Sequence, residues 1–271
     1  MEHAKIIDHI VGWLKDYTES SRTHGFVIGV SGGIDSALTS TLCALTGERT
    51  VLVEMPIHQD ESQVSRGRKH ISFLVDKYPN CSALELDLTD TYDVFLAELR
   101  SNVDLNRSEE IKNLTLGNSR ARLRMSALYA VAGIEGLLVA GTGNKVEDFG
   151  VGFFTKYGDG GVDISPIADL YKTQVYALAK YLNVNQNILE APPTDGLWDD
   201  GRTDEDQIGA TYEELEGAMR KHEFLGDYLD DVKFATEREL EVWKIYLSRW
   251  KANQHKMNPI PVCEIPEALK E

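Results

Sequence analysis

Apolar residues recur at helical spacing at Ile6, Ile7, Ile10, Val11 and Leu14, which predicts an amphipathic helix over residues 4–17. The next apolar run, Phe26-Val27-Ile28-Gly29-Val30, is short, continuous and rich in β-branched residues. A strand buried on both faces of a parallel sheet reads this way. A glycine-rich turn follows, and Ser36 to Leu42 then opens a helix that ends near Gly47. The alternation continues with a strand at Thr50–Met55, closed by Pro56, and a helix over about 60–77. A third strand is expected at Ala83–Asp87 and a short helix over 91–100. The polar stretch 102–118 reads as a connection before a helix over 119–135 and a fourth strand at Leu137–Ala140. Strands alternating with helices of this length predict an α/β fold, a doubly wound parallel β-sheet flanked by helices. Ligands of such sheets bind beyond the carboxyl ends of the strands, near the point where strand order reverses.

Further along, the acidic, glycine-containing segment 195–206 reads as a mobile loop. Thr211 and Glu214 have capping-box spacing and predict a helix start. Another amphipathic helix is expected over 236–251, ahead of a proline-containing tail. No repeat, low-complexity tract or linker interrupts the 271 residues, so one domain is the economical description.

Charge narrows the partners. Acidic residues outnumber basic ones by 44 to 28, for a formal net charge of −16. Such a surface repels a phosphate backbone, which argues against nucleic acid. The local exception, Arg120, Arg122 and Arg124, suits one phosphorylated small molecule or a solvated helix face. Three widely spaced cysteines, Cys43, Cys81 and Cys263, fit neither a disulfide framework nor a zinc site. The N-terminus lacks the apolar stretch of a signal peptide, and no run reaches membrane-spanning length. A soluble, cytoplasmic protein is expected.

The turn Gly29-Val30-Ser31-Gly32-Gly33-Ile34-Asp35-Ser36 carries the chemistry. Glycines let backbone approach an anion closely, and free amides at a helix start, with the helix dipole, favour a phosphate. The hydroxyls of Ser31 and Ser36 offer further donors. The string lacks the Gly-Lys-Ser/Thr ending of a P-loop and the G-x-G-x-x-G spacing of a dinucleotide fingerprint. A bare carboxylate beside phosphate is repulsive, so Asp35 is expected to hold Mg²⁺. The alternative is a plain strand–helix turn with Asp35 facing the dipole.

This string resembles the pyrophosphate-binding loop of N-type ATP pyrophosphatases, which share an adenine nucleotide alpha-hydrolase-like, Rossmann-like fold. Four further stretches resemble the ammonia-dependent NAD synthetase family: Asn118 to Met125, Gly141 to Glu147, Phe153 to Asp163, and Ala191 to Leu197. A closing Gln254-His255-Lys256 also matches, so the likeness runs from roughly residue 5 to 262. Between Glu147 and Lys156 the chain is one residue longer than in some members of that family.

The resemblance implies that Gly29, Val30, Ser31, Gly32, Gly33, Ile34, Asp35 and Ser36 hold the ATP phosphates, with Thr142, Lys172 and Thr194 also on ATP. It implies Asp35 and Glu147 on Mg²⁺, and Arg122, Lys156, Asp163, His255 and Lys256 on deamido-NAD. It makes Asp35 and Lys172 the residues that carry the reaction: attack of the nicotinate carboxylate on the α-phosphorus, then displacement of AMP by ammonia to give NAD, the last step of NAD biosynthesis. Without the resemblance, Lys172 is a surface lysine at a helix start and His255-Lys256 belongs to a solvated tail. Glu147 can meet Asp35 if the fourth strand neighbours the first. The matched strings leave no spare length for a glutaminase domain, so ammonia is the expected donor. A homodimer is implied as well. Two rival readings stay open: another enzyme of this loop class, such as a tRNA-thiolating or GMP-forming one, and a non-catalytic nucleotide sensor. Retention of Asp35 and Glu147 speaks against the sensor; acidic charge and unpaired cysteines speak against thiolation.

Overall fold

The computed structural model describes residues 1–59, 61–194, 203–226 and 233–270. Helix α1 (His3–Ser21) precedes strand β1 (Gly25–Gly29), helix α2 (Ile34–Leu45) and strand β2 (Arg49–Glu54). Helix α3 (Glu61–Lys77), strand β3 (Cys81–Glu85), helices α4 (Thr89–Asn102) and α5 (Glu109–Glu135), and strand β4 (Leu138–Val139) follow. All pairings are parallel, in the order β3-β2-β1-β4. The order therefore reverses between β1 and β4. Ala140 extends the sheet by bridging Ile164.

Alternate residues of each strand serve opposite faces. Phe26, Ile28, Leu52 and Leu138 join a core with α1, α2, α3 and the later helix α6 (Lys172–Tyr181). Val27, Val51, Val53 and Val139 pack under α5 through Ala132 and its neighbours. Both faces are thus covered, as the continuous apolar runs required.

Two expectations need correction. The stretch 102–118 is not all connection, because α5 begins at Glu109. Ser108 Oγ accepts from Ile111 N at 3.4 Å, and Glu109 and Glu110 in the first turn oppose the helix dipole. Its apolar residues there, Ile111 and Leu114, point outward, so no buried stripe announced the helix. The second correction concerns 195–206: residues 195–202 lie outside the described ones, but Asp204–Ile208 form a short helix, α8, capped by Thr203 and Asp206. Between α6 and α8 lies the single-turn α7 (Gln186–Leu189).

A second core gathers on the carboxyl side of the sheet. It joins a π-helical turn (Val146–Val151) to α8, α9 (Tyr212–Leu225) and α10 (Glu237–Ala252), through Leu215, Met219, Trp243 and Tyr246. The predicted Thr211–Glu214 capping box is present at the start of α9. A last helical turn, α11 (Gln254–Met257), leads into an exposed tail. Among the described residues, no helix is long and apolar enough to cross a membrane.

His70 of α3 is buried beneath α2, with Nε2 3.0 Å from Ser40 Oγ and no partner for Nδ1. Ser40 Oγ already donates to Ser36 O at 2.7 Å, so the imidazole must be the donor in that pair. Burial lowers the His70 imidazole to about 4. Since an unfolded imidazole titrates near 6.5, its contribution is complete above that pH and is lost as pH falls toward 4, on the order of 3 kcal/mol. Urea midpoints measured from pH 7 down to 4.5 are expected to fall steeply for the wild type and less steeply for His70→Gln; parallel curves would contradict this.

Candidate active site

β1 delivers the glycine-rich turn directly to the start of α2, whose N-cap is Gly33 and has no side-chain cap. The first amides of α2 therefore remain available to an anion. The two serines stitch the turn rather than extend from it. Ser31 N donates to Ser36 Oγ at 3.2 Å, and Ser36 Oγ donates to Gly33 O at 3.0 Å. Gly32 has φ +82°, and a Cβ there would stand 2.6 Å from Gln63 O and 3.0 Å from Gly67 N of α3. Only glycine fits between this turn and that helix.

Because β1 and β4 are neighbours, the segments that leave their carboxyl ends meet. Asp35 in the first turn of α2 lies beside Glu147 in the π-helical turn after β4, and Lys172, the first residue of α6, joins them. Lys172 Nζ donates to Asp35 Oδ2 at 2.6 Å and to Glu147 Oε1 at 3.1 Å. Asn144, fully buried, donates to Asp35 Oδ1 at 3.1 Å and accepts the backbone amides of Val146 and Glu147. Tyr212 OH donates to the same Glu147 Oε1 at 2.5 Å. Burial alone would depress the Lys172 ammonium, but Asp35 and Glu147 outweigh it and hold the group above an ordinary lysine. Burial raises the Asp35 carboxyl against the opposing pull of Lys172.

The backbone takes π-helical form over Val146–Val151. Within that turn lies Asp148, whose carboxyl is pushed up to about 8 by burial and then by Glu147, Asp159 and Asp35. Asp159 is raised too, chiefly by burial, although Thr155 N donates to it at 2.9 Å.

These groups open on a cavity of about 790 Å³, within the range of small-molecule sites. All eight residues of the turn line it, as do Thr142, Glu147, Lys172, Thr194 and Lys256. Arg122, Lys156, Asp163 and His255 do not. Three of them form a chain on the adjoining surface: Arg122 Nε donates to Lys156 O at 3.2 Å, and Lys156 Nζ donates to His255 O at 2.5 Å. Asp163 serves the sheet, accepting Val139 N at 2.8 Å and Tyr129 OH at 3.0 Å. Lys256 Nζ is held by the carbonyls of Gly152 and Phe154.

The sequence alone did not single out Asn144, Asp148 or Tyr212, and it offered Arg124 only as one of an arginine trio. Arg124 reaches from α5 to Met55 O at 2.8 Å and so fixes the backbone after β2 at the cavity wall. Asn144 stood inside a recognised string, and Tyr212 carried no signal beyond its capping position. Among the described residues, no group of three or more His, Cys, Asp or Glu could hold a metal. A magnesium shared with phosphates needs only one or two carboxylates. The Lys172 ammonium seated between Asp35 and Glu147 shows that this pair accommodates a cation.

Comparison with known proteins identifies the family. The family model described as NAD synthase matches residues 6–260. An NH(3)-dependent NAD(+) synthetase of Sulfurisphaera tokodaii is 34% identical over 96% of this chain and 88% of its own. The solved NMN synthetase of Francisella tularensis is 33% identical with a TM-score of 0.80, over 98% of this chain and 99% of that one. The NH3-dependent NAD synthetase of Campylobacter jejuni, solved with a nitrate ion, is 27% identical with a TM-score of 0.72, over 97% and 100% of the two chains.

Gly32→Ala is expected to cost about 1–3 kcal/mol through the left-handed backbone alone, with the contact to α3 added. A thermal melt and a calorimetric titration with ATP read the outcome. Unchanged melting and unchanged ATP affinity would remove Gly32 from the phosphate site.

Proposed function

From a chain that belongs to the NAD synthase family, we infer an enzyme that amidates deamido-NAD with ammonia at the expense of ATP, giving NAD, AMP and pyrophosphate. The observation that carries the chemistry is the convergence of the glycine-rich turn, Asp35, Glu147 and Lys172 on one cavity. In the first step the nicotinate carboxylate bonds to the α-phosphorus and the bond to the β-phosphate oxygen breaks. In the second, ammonia bonds to the acyl carbon and AMP departs with the bridging oxygen. The substrate supplies the nucleophile, so the protein contributes position and charge.

We assign the departing pyrophosphate to the turn amide of Gly32 and the first amides of α2, with Lys172 Nζ facing its charge. Two carboxylates against one ammonium leave the site one negative charge in excess, which opposes a polyphosphate. That excess supports Asp35 and Glu147 as the residues that would hold Mg²⁺, which supplies neutralising charge to the phosphate oxygens. Thr142 and Thr194 border the same cavity on the ATP side of this assignment. We assign the surface chain Arg122–Lys156–His255, together with Lys256 at the cavity wall, to the nucleotide portion of the substrate remote from the carboxylate, and Asp163 to the same portion although its carboxylate is bound to the sheet.

One observation favours a second reading. The match to the Francisella tularensis NMN synthetase has a higher TM-score than that to the Campylobacter jejuni enzyme. That reading keeps the same amidation and changes the acceptor to the acid counterpart of NMN. Release of AMP and pyrophosphate should be measured with ATP, ammonium and either deamido-NAD or nicotinate mononucleotide. Deamido-NAD is expected to turn over with the higher kcat/KM, and Asp35→Ala to lose at least about 100-fold in kcat. Preference for the mononucleotide would establish the second reading; no release with either would end both.

We propose a homodimer, supported by apolar side chains left exposed on α4 and α5, including Val94, Phe95, Ile111 and Ile134. Sedimentation equilibrium is expected to show twice the 30.3 kDa chain mass, and a species of chain mass alone would refute it. Three free cysteines among the described residues fit a reducing cytoplasm.

A further inference from the structure

Glu147 has two oxygens, and among the described residues Oε1 alone is engaged. It accepts from Lys172 Nζ at 3.1 Å and from Tyr212 OH at 2.5 Å. Lys172 belongs to the group that faces ATP, so its ammonium is shared. Tyr212 is different. It enters from α9 in the second core, is 4% exposed, and lines no part of the cavity. Its backbone amide is tied to Glu205 Oε1 at 2.9 Å, and its ring lies under Lys172 Nζ, 4.6 Å from the centroid. A carboxylate has no proton to give, so the phenol must be the donor. Asp204 Oδ2, at 3.4 Å from the same hydroxyl, is the weaker acceptor.

We propose that Tyr212 is a positioning residue for the cation-binding pair: its hydroxyl pins Glu147 Oε1 so that Oε2 is presented beside Asp35, while its ring seats Lys172. The reason is geometric. A glutamate at the start of a one-turn helix has three rotatable bonds, and Asn144 secures only its backbone. Lys172 cannot lock the side chain alone, because the same ammonium also answers to Asp35 and, under the function proposed above, to phosphate. A neutral donor from a separately packed core holds Glu147 whatever charge enters the cavity. It also couples the second core to the phosphate turn, since Tyr212 packs with Leu215, Met219 and Trp243 on its other side. The inference rests on the proposed function only in taking Glu147 as a ligand for Mg²⁺.

The test uses the full chain and the variants Tyr212→Phe, Glu147→Ala and the double variant. Tyr212→Phe keeps the ring over Lys172 and removes only the hydroxyl. ATP is titrated calorimetrically into each protein, once with Mg²⁺ and once with EDTA, and thermal midpoints are recorded. Tyr212→Phe is expected to weaken ATP binding about tenfold in Mg²⁺, the scale of a hydrogen bond to a charged group. In EDTA its affinity should match the wild type, and its thermal midpoint should stay within a few degrees. On the Glu147→Ala background the same substitution should add nothing further. In turnover, kcat should fall while KM for deamido-NAD holds. Equal losses in Mg²⁺ and EDTA, or the same increment on both backgrounds, would overturn the proposal in favour of a packing role. Wild-type affinity in Tyr212→Phe would overturn it outright. Wild-type turnover run alongside separates this outcome from failure of the proposed function, because the Mg²⁺-dependent difference in ATP affinity is read without turnover.

Discussion

The bond from Lys172 to Asp35 and Glu147 is the contact around which the site is built. It gathers the first turn of α2, the π-helical turn after β4, and the start of α6 within one ammonium's reach. All three side chains are largely withdrawn from water, at 4%, 17% and 15% exposure for Lys172, Asp35 and Glu147. Desolvating three charges is expensive, and an apolar substitute of equal volume would serve stability as well or better. Such a cluster makes sense where a charged ligand is to be received. The order of strands makes it possible, since the two carboxylates come from the neighbours β1 and β4 on either side of the reversal.

Rigidity around the triad comes from several independent ties. Ser31 and Ser36 close the turn on itself, and α3 crosses it so closely that Gly32 is required and a Cβ at Gly67 would stand only 3.3 Å from Val30 O. Asn144 holds Asp35 from one side and caps the π turn from the other. The second core adds its own bonds: Thr173 of α6 donates twice to Glu216 of α9, and Asn253 Nδ2 reaches Val151 O at 2.8 Å. The glycine-rich turn thus belongs to the sheet, whereas one carboxylate and the lysine are braced by the helices beyond it. Small shifts of the second core would be felt at the triad through Tyr212 and Lys172 together.

Two further carboxyls stand near the triad. Asp148 and Asp159 stand buried in the same wall and are held toward their neutral forms. This locally repeats the excess of acid over base in the whole chain. Held neutral, the two carboxyls add little charge to the wall, so the net charge beside the cavity is set by Asp35, Glu147 and Lys172.

Residues close in sequence decided much of this before any folding is considered. The apolar runs at Phe26, Thr50 and Leu137 announced buried parallel strands, because period and β-branching are properties of adjacent residues. The glycine-rich turn was equally legible, since its glycines, serines and helix start act through their own backbone. The N-terminal half of α5 escaped because its apolar side chains face outward and leave no stripe. Thr142, Thr194 and Lys256 border the cavity, whereas Arg122, Lys156 and His255 form a separate surface chain, a division that local strings do not encode. The pairing of Asp35 with Glu147 was conditional on strand order, which short-range pattern leaves open. Lys172 reaches Asp35 across 137 positions and Tyr212 reaches Glu147 across 65. Contacts of that span exist only once the sheet has chosen its neighbours and the second core has docked, so the chain's own order names the glycine-rich turn and tertiary packing alone decides which charges meet it.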